Sequence, residues 1–153
     1  MAITIHRGEL GAADVRALLD LHVAAMQGHS PADACHVLAA SALDRPDILF
    51  LTAREDGTLL GVGALKTLGP DEGEVKSMRT APQALRRGVG SALLRAIVAE
   101  ARSRGARRLL LETGTGSDFT AANRLYERAG FVECGAFGGY PESAFTRFLS
   151  LDL

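Results

Sequence analysis

Apolar positions change period along the chain, and each change marks an element. Ala2-Ile3-Thr4-Ile5-His6 alternates and is rich in β-branched residues, which predicts a first strand. From Ala13 to Gln27 the period lengthens: Val15, Leu18, Leu19, His22, Val23 and Met26 form the inner stripe of a helix that Gly28 stops. Ser30 as N-cap and Pro31 at the first helical position predict a second helix, reaching about Leu43. A mostly apolar strand follows, Asp47 to Arg54, with Asp56-Gly57 as the turn into a return strand from Leu59 to Leu68. Gly69 to Gly73 turns the chain into another strand, Glu74 to Thr80, which stops at Ala81-Pro82. Alternation there puts Glu74, Lys76, Met78 and Thr80 on one face and Arg79 on the other.

The second half has a different rhythm. From Gly88, the residues Val89, Leu93, Ile97 and Ala101 recur at helical spacing, with Leu94 and Val98 beside them. Four arginines between Arg102 and Arg108 suit the negative end of that helix. Leu109-Leu110-Leu111 is apolar on both faces, as a buried parallel strand should be, and ends at Glu112-Thr113-Gly114. A short helix from about Phe119 to Ala129, closed by Gly130, leads to two last strands, Phe131 to Phe137 and Ala144 to Leu151. A four-stranded antiparallel meander followed by helix–strand–helix–strand predicts an α/β protein with a mixed sheet.

Composition narrows the choices of partner. The 153 residues suit a single domain, 1–153, and 47% hydrophobic with 23% charged residues is ordinary for a globular chain. A net charge of −1 gives no reason to expect nucleic acid as a partner. With no apolar run of eighteen residues and no basic-then-apolar leader, neither a membrane span nor a signal peptide is expected. Cys35 and Cys134 lie far apart without metal-ligand spacing, so a reduced, cytoplasmic setting and no metal are the expectation.

The candidate chemistry begins at Leu85-Arg86-Arg87-Gly88-Val89-Gly90-Ser91. Two glycines at a helix entrance admit a ligand close to the backbone, and the first helical turn offers unpaired N–H groups and partial positive charge. Arg86 and Arg87 stand where a helix prefers carboxylates, a mismatch that a bound phosphate would reverse. A dinucleotide fingerprint would need Gly or Ala where Leu93 stands, and no Gly-Lys-Ser/Thr triplet provides a nucleoside-triphosphate loop. A tight structural turn is the competing reading.

The order of these pieces is specific: a strand, Arg-Arg-Gly-Val-Gly-Ser-Ala-Leu-Leu, a helix, Leu-Leu-Leu-Glu-Thr-Gly, then Ala-Ala-Asn-Arg-Leu-Tyr-Glu-Arg-Ala-Gly-Phe. Over Glu74 to Phe131 it resembles the GNAT superfamily of acetyl-CoA-dependent N-acetyltransferases. Glu-Val-Lys-Ser-Met-Arg-Thr and Leu-Glu-Thr-Gly further resemble a small bacterial subgroup of undefined substrate. Leu85 departs from the pattern, which usually has Gln or Arg at that position.

The resemblance implies a GNAT fold: a mixed, mostly antiparallel sheet of about seven strands flanked by about four helices. It implies transfer from acetyl-CoA directly to a primary amine of a small molecule or peptide, with no metal; a non-catalytic acyl-CoA sensor is the alternative. A homodimer fits the family's habit. Arg86, Arg87, Gly88, Val89, Gly90 and Ser91 would hold the pyrophosphate. Met78 would polarise the thioester carbonyl through its backbone N–H, on a strand splayed from its neighbour. The Thr80 backbone and the Asn123 amide would hold the pantetheine arm. Tyr126 would protonate the leaving thiolate, against a core tyrosine as the plainer reading.

Glu74 and Glu112 are the candidate bases, set against a Glu74–Lys76 surface pair and a buried hydrogen-bonding role for Glu112. Arg79, grouped with the cofactor contacts, could instead bind an acceptor carboxylate or sit in a structural ion pair. His29 and His36 have a claim on the acceptor through the helices they belong to. Phe137 and Tyr140 border a glycine-rich turn, as lid or packing residues.

Overall fold

The computed structural model describes residues 2–29 and 38–153. Among them seven strands build one sheet: β1 (Thr4–Arg7), β2 (Ile48–Glu55), β3 (Thr58–Thr67), β4 (Glu72–Thr80), β5 (Arg108–Gly114), β6 (Val132–Glu133) and β7 (Thr146–Asp152). The helices are α1 (Ala13–His29), α2 (Ala40–Leu43), α3 (Val89–Ser103) and α4 (Thr120–Arg128). The strand order is β1-β2-β3-β4-β5-β7-β6, and β4–β5 is the parallel pair in an otherwise antiparallel sheet. This is the mixed α/β architecture the sequence pattern predicts. The helix expected from Ser30 to Leu43 lies mostly outside the described residues, as do its cap, His36 and Cys35. The described part of it is α2.

The last strands differ from expectation. The stretch Phe131 to Phe137 contributes only Val132–Glu133, an exposed edge strand on β7. Phe137 leaves the sheet and packs edge-on against Phe148 at 5.7 Å and Tyr140 at 5.6 Å. An outer strand has one neighbour, so an apolar ring there gains more from this cluster than from continuing the ladder.

Helix α3 settles on β3 because β3 carries glycines on the facing side. A Cβ at Gly63 would lie 2.7 Å from the Met78 sulfur and 3.3 Å from Ile97, and one at Gly61 would lie 2.8 Å from Val89. The helix brings Val89, Leu93 and Ile97 down onto that surface, all essentially inaccessible to solvent. Burial of such side chains is worth about 1.5–3 kcal/mol each. The same contact fixes the α3 amino end beside the carboxyl end of β4.

Strand β4 is not regular. Val62 pairs with Arg79, but Ala64 pairs with Lys76, so β4 carries one extra residue opposite Gly63. Ser77 absorbs it with φ at +55°. Such a bulge reverses the alternation beyond it. Glu74 and Lys76 therefore share a face with Arg79, towards α1, whereas Met78 and Thr80 face α3. The expectation that Glu74 points the same way as Met78 is corrected by this one residue.

Candidate active site

Between β4 and β5 the sheet opens. Their pairing runs from Glu72–Arg108 to Val75–Leu111 and ends there, although β4 continues to Thr80 and β5 to Gly114. From Lys76 to Thr80 the edge of β4 turned towards β5 thus has no strand partner. The splay opens into a cleft of about 620 Å³ whose lining includes Met78, Thr80, Gly88, Gly90, Glu112 and Tyr126. The buried Ser77 hydroxyl, also in the lining, has no hydrogen-bond partner among the described residues. A buried polar group without a partner costs roughly 1–3 kcal/mol, which a polar ligand in the cleft would recover.

At one end of this cleft stands the amino terminus of α3. Gly88 caps it in the left-handed region, φ +81°, and no side chain bonds the cap. Among the described residues no carbonyl accepts from the amides of Gly88 to Ser91, which leaves them for an anion. Arg86 holds φ at +64°, a conformation that costs a non-glycine residue about 1 kcal/mol and clusters at binding sites. Its neighbour Arg87 turns away and ion-pairs with Glu55 at 2.8 Å, so its side chain is engaged outside the cleft.

Across the splay, α4 contributes Tyr126, 7% exposed and edge-on to Phe131. Burial pushes its phenol up to about 12, a rise tempered by the charge of Arg79. It stays protonated throughout the neutral range. Asn123 donates from Nδ2 to the Gly114 carbonyl at 3.0 Å, tying α4 to the end of β5, while its Oδ1 is buried without a partner among the described residues.

The α1 side of the sheet holds two further groupings. Lys76 donates to Glu74 Oε2 at 3.1 Å and to the Tyr140 hydroxyl at 2.8 Å, and Tyr140 donates to Glu74 at 3.2 Å. Glu74 is 1% exposed, so the anticipated surface pair is a buried one, with the glycine-rich turn pinned over it. Burial alone would lower the Lys76 pKa; Glu74 and Tyr140 outweigh it and hold the ammonium above its ordinary value. Glu112 lies one residue past the last β4–β5 pair, partly buried and in the cleft lining.

In the other grouping, Arg79 donates from Nε to His22 Nδ1 at 2.9 Å. Neither this bond nor the Lys76–Tyr140 contact was legible beforehand: His22 fits an apolar helix stripe, and 57 residues separate it from Arg79. Burial first, then the charge of Arg79, lowers His22 to about 4. An unfolded histidine takes up a proton below about 6.5 and the buried one does not, so stability is complete above that pH. It falls as pH drops towards 4, by up to about 3 kcal/mol. His22→Asn keeps an acceptor for Arg79 and cannot titrate. It should flatten this part of a Tm-versus-pH curve, and an unchanged acid slope would refute the assignment.

The model of the acetyltransferase (GNAT) family matches residues 15–131. The uncharacterized N-acetyltransferase YedL of Escherichia coli strain K12 is 44% identical over 150 residues, 98% of this chain and 94% of that one. The structure of a putative acyl-CoA N-acyltransferase from Klebsiella pneumoniae superposes with TM-score 0.81 at 29% identity, over 99% of this chain and 97% of that one. A GNAT family acetyltransferase from Elizabethkingia anophelis, solved with acetyl-CoA bound, shares the fold at TM-score 0.71 and 21% identity, over 99% and 98% of the two chains. The chain therefore belongs to the acetyltransferase (GNAT) family and is a GNAT-type N-acetyltransferase.

Proposed function

We propose that residues 1–153 form one N-acetyltransferase domain that moves the acetyl group of acetyl-CoA directly to a primary amine of a small molecule or peptide. The observation that carries this reading is the unpaired edge of β4 running from the uncapped α3 amides to Tyr126. The residues present suit the donor: free amides for a diphosphate, an open strand edge for the amide-bearing pantetheine arm, and an orphaned Ser77 hydroxyl beside it.

In this reading the amides of Gly88, Val89, Gly90 and Ser91 hold the pyrophosphate, with Arg86 adding charge at the mouth. The Thr80 backbone, and Asn123 near the end of β5, steady the pantetheine arm. The Met78 N–H points along the unpaired edge to where negative charge develops on the thioester oxygen. Glu112 accepts the ammonium proton, directly or through water. The amine attacks the carbonyl carbon, the carbon–sulfur bond breaks, Tyr126 gives its proton to the departing thiolate, and the second proton shed by the nitrogen restores the phenol. Glu74 is committed to Lys76 and Tyr140, which makes it a support for the acceptor side more than a base.

Calorimetry with acetyl-CoA, coenzyme A, ATP and NAD tests the binding half. The expected result is association of the two coenzyme A species alone. Release of free thiol that depends on an added amine tests the transfer half. Preference for ATP or NAD, or no association with coenzyme A, would end this reading.

A further inference from the structure

Four arginines in this protein are not exposed: Arg54, Arg79, Arg108 and Arg147. Three of them meet carboxylates. Arg54 pairs with Glu9 and Asp14, Arg108 with Glu72, and Arg147 with Glu127 and Glu133. Arg79 has no acidic partner among the described residues, and its one bond goes to His22. Among the described residues, then, the structural ion pair of the plainer sequence reading has no carboxylate to form it.

This is an unusual environment for a guanidinium. His22 accepts one N–H and, being neutral, returns no charge. Four N–H donors on the two terminal nitrogens remain, in the planar fork that matches a carboxylate. The group lines the cleft, on the α1 side of the sheet, away from Met78 and Thr80 and the donor-side face. Glu112 is on this side as well. It pairs with Phe148, whose ring packs against Phe137 in the cluster that also holds Tyr140. One side of the cleft thus offers a fixed cation and a carboxylate, complementary to a molecule bearing an anion and an ammonium.

We infer that the acetyl acceptor is an amine that also carries a carboxylate, bound through that carboxylate by Arg79 as oriented by His22. The inference rests on the transferase reading of the cleft and narrows its substrate class to amino acids and similar zwitterions. A carboxylate fits better than a phosphate because Glu112 on the same face would repel a dianion more strongly.

The test is a thiol-release assay with acetyl-CoA over the L-amino acids, each beside its α-amide, and a set of simple amines. The expected result is at least a tenfold higher kcat/KM for a carboxylate member than for its amide. Arg79→Gln should raise KM for that acceptor by roughly 10–150-fold with kcat little changed. The loss should be much smaller for the amide, which has no carboxylate to lose, and Arg79→Lys should recover part of the loss for the acid. Equal use of acid and amide by the wild type overturns the inference, as does an equal effect of Arg79→Gln on both. So does a panel in which only carboxylate-free amines, or none, react while acetyl-CoA still binds. Failure of acetyl-CoA itself to bind falls instead on the transferase reading.

Discussion

Tyr126→Phe is expected to lower kcat by roughly 10²–10⁴-fold while coenzyme A affinity stays as it was. The substitution removes one oxygen and keeps the ring, so the edge-on contact with Phe131 and the packing of α4 survive. What is lost is a proton donor in a site sealed enough to hold a phenol near 12. A thiolate leaves poorly unless it is protonated as the carbon–sulfur bond breaks, and a neutral phenol is suited to that transfer. The elevated value has a second consequence. An ordinary phenol begins to ionise near pH 10, whereas Tyr126 should keep kcat level past that point, so a wild-type rate that drops with an apparent pKa of about 10 would contradict the assignment. Full activity in Tyr126→Phe would contradict it outright.

Much of this site is legible in the sequence because it depends on local backbone rules. A helix entrance with glycines at Gly88 and Gly90 and arginines before it announces an anion site without any tertiary information, and the structure leaves those amides uncapped. The antiparallel meander of β1 to β4 also follows from period and turn chemistry, whereas nothing local places β7 between β5 and β6. Legibility ends where a single residue changes the pairing. The bulge at Ser77 depends on what faces β4 across Gly63, and alternation alone places Glu74 beside Met78. Contacts between distant segments are equally hidden: nothing local marks Tyr140 as the residue that reaches Lys76, 64 positions away. Edge strands fail for a related reason, since Val132 to Phe137 has strand-like composition but a choice between a ladder and a ring cluster.

Glu74→Ala is expected to destabilise the fold by about 3–5 kcal/mol, lowering Tm by roughly 6–20 °C for a chain of this size. The substitution leaves the Lys76 ammonium, 8% exposed, without its counter-charge and takes an acceptor from Tyr140. The attraction within a buried pair serves mainly to offset the desolvation of both partners, so losing one partner costs far more than the intact pair contributes. The double variant Glu74→Leu with Lys76→Met removes both charges together and should return to within about 1 kcal/mol of wild type, or exceed it. Because the pair anchors the turn carrying Tyr140, the double variant should also loosen that turn. The expected sign is a raised KM for the acceptor at a largely retained kcat. A kcat that instead collapses in the stable double variant, and with it the acid limb of the pH–rate profile, would make Glu74 the base and remove Glu112 from that role.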